Sequence, residues 1–342
     1  MKPNSKDLPQ RHRDTEETNP ENFGKSYSFI CFVSRFSLCL CVSVVKRFGL
    51  FFTALLLITP AHAALNVFAC EPEWAALTQQ LAGDKASIYT ATAALQDPHR
   101  IEARPSLIAK ARRANLVVCT GAELEVAWLP VVLRESGNNA IPPGSVGYFE
   151  AASAVRMLEV PTHLDRGEGD VHAQGNPHIQ TDPRNFLPIA EALSKRLIQL
   201  DPANTADYQQ HLAAFTRQWR AAIAKWEQQA APLKNISVVV QHQGFPYLSD
   251  WLGLKQVATL EPKPGMEPSA AHLSQVLGIL QQHPAKMVLR AAYQDARPSE
   301  WIAQRAHIAE VELPYTVGGS DAAQDLYGLF DDTIARLLAG LK

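Results

Sequence analysis

Three histidines in this 342-residue chain stand where an imidazole could hold a cation. His99 lies in Asp97-Pro98-His99-Arg100, His178 in Gly175-Asn176-Pro177-His178-Ile179, and His242 in Gln241-His242-Gln243-Gly244. The prolines before His99 and His178 stiffen their loops. Neutral imidazole suits zinc, and three imidazoles with a fourth oxygen or water make an ordinary zinc set. The wide separations carry no spacing code, and a single loop histidine is by default a surface residue. His163 and His172 share the stretch 161–174, which reads either as a solvated loop or as a metal-gathering one. His211, His272, His283 and His307 fall on or beside helices and read as structural or surface residues. There is no CxxC, HExxH, Walker loop, GxSxG or post-strand GxGxxG, which lowers the standing of an enzyme.

The elements that must position these loops alternate along the chain. Short apolar runs at 65–70, 87–90 and 115–119 read as strands, with helical periodicity at 71–81, 105–113 and 123–133 between and after them. A second set follows, with strands at 236–240, 256–260, 287–291 and 308–313 and helices at 269–283, 298–306 and 321–341. This order predicts two α/β lobes, each a mostly parallel sheet flanked by helices. Between them, Asn185 can cap a helix with Phe186, Ile189, Leu193 and Leu197 on its buried face. Residues 206–231 then carry Tyr208, Leu212, Phe215, Trp219, Ile223 and Trp226 at steps of three and four, the pattern of a long spine joining the lobes across a cleft. Ligands in open α/β sheets bind beyond the carboxyl ends of strands, an edge all three histidines can reach. Trp74, Trp128, Trp219 and Trp226 fit helix packing and not a cofactor cage.

Composition supports an ordinary globular protein. Hydrophobic residues make up 46% of the chain, ample for two modest domains, and the net charge of -2 with no basic stripe excludes a nucleic-acid footprint. Lys46-Arg47 followed by an apolar run through Ile58, then Pro60 and Ala61-His62-Ala63, reads as a secretory signal cleaved after Ala63. The run is nearer a dozen residues than the roughly 20 a membrane anchor needs. A signal normally opens a chain, which places the expected true start near Val44 or Val45, although 29–45 is itself fairly apolar. The expected divisions are 1–45 as an upstream extension or disordered segment, 46–63 as the signal, 64–182 and 236–342 as lobes, and 183–235 as linking helices. Cys31, Cys39 and Cys41 fall before the cleavage point, while Cys70 and Cys119 remain and invite a disulfide in an exported protein. Phe68 makes a poor lipidation box before Cys70, which favours a soluble periplasmic protein over a lipoprotein.

The stretch from residue 65 to the end resembles the zinc and manganese solute-binding proteins of ABC importers. The segments that carry the resemblance are DPHRIEARPS at 97–106, VVCTGAELEVAWLP at 117–130, GNPHIQTDP at 175–183, VVVQHQGFPYL at 238–248 and EPKPGMEPS at 261–269. It implies two α/β lobes tied by a rigid helix, with metal bound in the cleft by the positions that match His99, His178 and His242. A histidine at the third position implies zinc as cargo, where a glutamate would imply manganese. The family's frequent fourth ligand, an aspartate before the last helix, falls near Pro314, where no carboxylate stands. Asp321, Glu261, Glu267 or water are left as candidates. The resemblance also makes the strands ending in Cys70 and Cys119 neighbours, implying a bond between them. It further implies a monomer that hands zinc to a membrane permease with its cytoplasmic ATPase, without turnover. A manganese binder of the same type, a three-histidine zinc hydrolase with an activated water, and a surface adhesin are the rival readings.

Overall fold

Leu65–Ala69 (β1) turns Val67 and Ala69 to one side and Phe68 to the other, and all three are buried. A strand covered on both faces belongs in a parallel sheet between helices. In the computed structural model, which describes residues 64–163, 169 and 172–342, β1 pairs in parallel with Ala86–Thr90 (β2) and Leu116–Cys119 (β3). Tyr148–Glu150 (β4) completes the sheet in the order β2-β1-β3-β4. Ser237–Val240 (β5), Lys255–Thr259 (β6), Met287–Ala291 (β7) and Ala309–Leu313 (β8) repeat the plan as β6-β5-β7-β8, again all parallel. In each sheet the strand order reverses beside the first strand, which leaves a crevice beyond the strand ends. The fold is the expected pair of parallel α/β lobes. The expected signal, Cys31, Cys39 and Cys41 lie outside the described residues.

The first lobe's helices are Pro72–Ala82 (α1), Pro105–Ala111 (α2) and Leu129–Ser136 (α3). Phe186–Leu200 (α4) and Thr205–Ala230 (α5) link the lobes, and Pro246–Leu252 (α6), Ala270–Gln282 (α7), Arg297–Ala306 (α8) and Leu326–Ala339 (α9) follow. Proline in the first turn starts α1, α2, α3, α6 and α8, where its missing N–H costs no hydrogen bond. Phe68, Leu107, Val117 and Trp128 fill the layer between the first sheet and α2 and α3. Val239, Val276, Val288 and Ile302 do the same beneath α7 and α8. The opposite faces of both sheets share one core that runs from Val67 and Trp74 through Trp219 to Val238 and Phe330.

Helix α5 is the spine of that shared core. Its 26 residues span about 39 Å at 1.5 Å per residue, and it packs on α1, α4 and α9. Trp219 meets Phe186 of α4 and Phe330 of α9 at ring-centroid distances of 5.3 and 5.7 Å. Its indole N–H donates to the Pro183 carbonyl at 2.7 Å, and that of Trp226 donates to Asp331 at 2.7 Å. Burying rings of this size contributes on the order of 2–3 kcal/mol each.

Several local expectations are corrected. The helix expected from 123 starts at Leu129, because Ala122 and Glu123 adopt φ of 49° and 66°. The Glu125 carboxylate accepts the Thr120 and Gly121 N–H groups at 2.7 and 3.1 Å, which holds this turn. The last helix starts at Leu326, capped by Asp325, which accepts the Gly328 N–H. Asn185 makes no capping bond, and Asp182 instead accepts the Arg184 N–H to open a 3₁₀ turn.

Cys70, the residue after β1, and Cys119, the last residue of the adjacent β3, have their Cα atoms 4.8 Å apart and form a disulfide. Around them the sequence buries three carboxyls, Glu71, Glu73 and Glu125. Burial raises Glu125 to about 7 and Glu73 to about 7, although the Thr316 hydroxyl donates to Glu73 and holds it partly down. Burial, then the charges of Glu125 and Glu73, push Glu71 well above its ordinary range. The Glu73–Thr316 bond joins α1 to a loop of the second lobe.

Candidate metal centre

Each histidine of interest is held by its own backbone-level device. His99 follows β2, and Asp97 Oδ1 accepts its main-chain N–H at 3.0 Å while facing its ring Nδ1 at 2.8 Å. The Trp128 indole donates to the Pro98 carbonyl at 3.0 Å and locks the same loop from beneath. Asn176 Oδ1 accepts the His178 N–H at 3.0 Å, and the Thr181 hydroxyl donates to the His178 carbonyl. His242 directly follows Gln241 at the end of β5, and its Nδ1 faces Glu261 Oε2 at 2.7 Å. That oxygen also accepts the Gly265 N–H at 2.8 Å. Gly244 is required close by. A Cβ there would stand 2.8 Å from the Tyr315 hydroxyl oxygen and 3.3 Å from His242 Cδ2.

These devices bring the three imidazoles to one point between the sheets. One donor atom from each of His99, His178 and His242 lies within 4.8 Å of the others. His178 Nε2 and His242 Nε2 are 3.1 Å apart, close to the roughly 3.3 Å that two nitrogens share on a tetrahedral zinc with 2.0–2.1 Å bonds. His99 Nε2 is buried without a partner, and the other nitrogen of its ring faces Asp97. The rings cross nearly at right angles, with interplanar angles of 72–78°. With Nδ1 of His99 and of His242 turned to carboxylates, the Nε2 lone pairs are left for a cation, the pattern by which outer carboxylates fix a ligand's tautomer.

The electrostatics agree with a cation-binding role. Burial, followed by the charges of His99, His242 and His172, pushes His178 well below its ordinary value, so it stays neutral and able to donate. Burial opposes ionisation of Asp97, but the hydrogen bond and charge of His99 outweigh it and hold the carboxyl below its usual range. Tyr315 packs 5.7 Å from the His178 ring, and burial raises its phenol well above the usual value. It stands beside Pro314, where the family's fourth carboxylate was sought, and offers a neutral hydroxyl.

Sequence reasoning found the three imidazoles but missed their partners. Asp97, two residues before His99, faces that ring's Nδ1, and Glu261, one of the candidate fourth ligands, faces His242 Nδ1. Glu267 lines a cavity of about 180 Å³ that also reaches His99 and His242. Asp321 is exposed and lines neither this cavity nor a second of about 180 Å³ on the His178 side. His163 is exposed, whereas His172 comes to 5.5 Å from the His99 ring and lines the second cavity.

Two parallel α/β lobes on a helical spine, with imidazoles gathered between their strand ends, define a solute-binding protein. The family model for the zinc-uptake complex component A, periplasmic, matches residues 67–340, and the chain belongs to this family of metal-importer substrate-binding components. It is 25% identical over 278 residues to a manganese ABC transporter substrate-binding lipoprotein, PsaA, of Streptococcus pneumoniae, covering 78% of this chain and 85% of that one. It is 28% identical over 203 residues to the zinc-binding lipoprotein AdcA of Streptococcus pneumoniae serotype 4, covering 58% of this chain and 39% of that one. A crystal structure of ZnuA superposes with a TM-score of 0.69 at 22% identity, covering 82% of this chain and all of that one, a likeness of fold. Both relatives are named lipoproteins, whereas Cys70 here is buried in a disulfide.

Proposed function

We propose that the protein captures Zn2+ with His99, His178 and His242 outside the cytoplasm and delivers it to an ABC permease driven by a cytoplasmic ATPase. The observation that carries this reading is the 3.1 Å approach of His178 Nε2 and His242 Nε2 beside the orphaned His99 Nε2. Buried nitrogens meeting head to head need a shared cation or proton, and neutral imidazoles favour a metal. An all-imidazole set suits zinc, whereas manganese favours carboxylate and water oxygens. The nearby carboxylates face the imidazoles from behind, and Tyr315 brings a neutral phenol, so water is the fourth donor in this proposal.

Titration calorimetry of the parent and five alanine variants, with manganese as competitor, tests this. His99→Ala, His178→Ala and His242→Ala lose zinc affinity by roughly 100-fold or more, beyond the roughly 10–100-fold typical of outer-sphere losses. His163→Ala and His172→Ala stay near the parent. Parent-like zinc binding by His242→Ala removes the three-histidine site. A parent that prefers manganese removes the zinc assignment and leaves the fold untouched.

A further inference from the structure

Glu159 lies in the connection after β4 with φ of 53°, a left-handed conformation uncommon for a residue with a Cβ. A non-glycine residue held there is a constraint that its surroundings must impose. The surroundings are specific. Glu159 Oε1 accepts from Gln243 Nε2 at 2.5 Å, and Oε2 accepts from Asn176 Nδ2 at 3.0 Å. Asn176 Nδ2 also donates to the Gln243 carbonyl at 2.7 Å. Gln243 is itself seated by Gln256, whose Nε2 donates to Gln243 Oε1 at 2.6 Å. One carboxylate therefore ties a segment two residues before His178 to the residue after His242.

The same carboxylate stands at the edge of the cavity on the His178 side. Of the residues lining that cavity, Glu159 alone is exposed, while Asn176, His178 and His242 are buried. Beneath it the backbone is tight. The Asn176 N–H donates to the Leu158 carbonyl at 2.8 Å, and a Cβ on Gly175 would come 2.7 Å from that carbonyl oxygen. The Tyr247 hydroxyl donates to the Asn176 carbonyl and accepts the Leu158 N–H, each at 2.9 Å.

We propose that Glu159 is a positioning residue that clasps the His178 and His242 segments together and thereby sets the rate at which the bound metal leaves. The inference rests on the proposed three-histidine zinc site. With the clasp made, the two imidazoles keep their mutual approach and the cavity stays narrow at its solvent edge. With it broken, the segments keep the Asn176 bond to the Gln243 carbonyl but lose both bonds through the carboxylate, which loosens them without any change in the ligands themselves.

Glu159→Gly and Glu159→Asn both tolerate the left-handed backbone, and neither can span to Gln243 and Asn176 together. Zinc release is followed by stopped-flow fluorescence after mixing the loaded protein with excess chelating dye, and stability by the melting midpoint of the metal-free protein. Both variants should release zinc roughly tenfold faster, the scale of one charge-assisted hydrogen bond. Their metal-free midpoints should stay at or above the parent's, since Glu159→Gly relieves the backbone. Release within twofold of the parent in both variants overturns the inference, as does faster release that tracks a lower midpoint. A parent that binds no zinc in the calorimetry overturns the function proposed above, which is a separate outcome from parent-like release in a zinc-binding variant.

Discussion

Nδ1 of His242 lies 2.7 Å from Oε2 of Glu261, on the far side of the ring from the Nε2 that meets His178. A carboxylate so placed fixes the proton on Nδ1, aims the ring and makes Nε2 more basic. Asp97 stands to His99 in the same way at 2.8 Å. Glu261→Gln and Asp97→Asn should each weaken zinc binding roughly 10–100-fold while leaving the protein folded. Competition against a chelator of known affinity, with circular dichroism as the fold control, reads this out. Unchanged affinity in both variants would show that the carboxylates do not tune the ligands.

Zinc affinity should hold between pH 8 and 7 and fall steeply below about pH 6, because imidazole with an ordinary pKa near 6.5 must be neutral to ligate. Burial and the neighbouring imidazoles depress His178, so it remains a donor to lower pH than a free histidine. The sign for stability follows. The folded state binds fewer protons at His178 than the unfolded chain, so this residue's own contribution to stability falls as pH drops below about 6.5, opposite in sign to the buried carboxyls. Chelator competition from pH 8 to 5 checks the first statement, and the pH dependence of urea unfolding of the metal-free parent against metal-free His178→Ala checks the second.

Glu73 titrates the other way. Its folded pKa is raised from 4.5 to about 7 by burial, so ionising it weakens the fold. Below pH 4.5 the residue contributes no penalty. Between 4.5 and 7 the penalty grows, and above 7 it is complete, on the order of 3 kcal/mol. Glu73→Gln keeps an acceptor for Thr316 and removes that charge. It should raise the melting midpoint at pH 8 by several degrees and leave it near the parent's at pH 5. Equal shifts at both pH values would mean the charge is not what matters.

The disulfide joins residues 49 apart in sequence and encloses His99. Closing a loop of that length lowers the entropy of the unfolded chain by an amount worth about 4 kcal/mol at most. A Cys70→Ala, Cys119→Ala double variant should therefore unfold at clearly lower urea concentration. It should still bind zinc when folded, since neither sulfur touches the imidazoles in a ligating role. Thiol counting in the unreduced, denatured parent should find neither Cys70 nor Cys119 free.

Most of the scaffold was legible because its signals are local. Apolar four- and five-residue runs such as 287–291 became strands, and the three-and-four spacing from Tyr208 to Trp226 became α5. β4 was not seen because three residues carry too little periodicity. The seven-residue α6 was not expected either. The turn before α3 depends on Glu125 reaching back to Thr120 and Gly121, a tertiary choice that helix periodicity cannot report. The imidazoles at 99, 178 and 242 share no spacing, so only their resemblance to a known family joined them before the structure did. The burial of Glu71, Glu73 and Glu125 ran against the default for charged residues, and no local pattern announces it.

Helix α5 packs on α1, α4 and α9, and its Trp219 and Trp226 interlock with the rings of Phe186 in α4 and Phe330 in α9. A rod gripped in this way does not bend like a hinge, and the lobes cannot swing wide without stripping Trp219 and Trp226 from the core. Loading would then be written in shallow relief, at the lips of the cleft. A transporter that docks at those lips would then read texture more than silhouette.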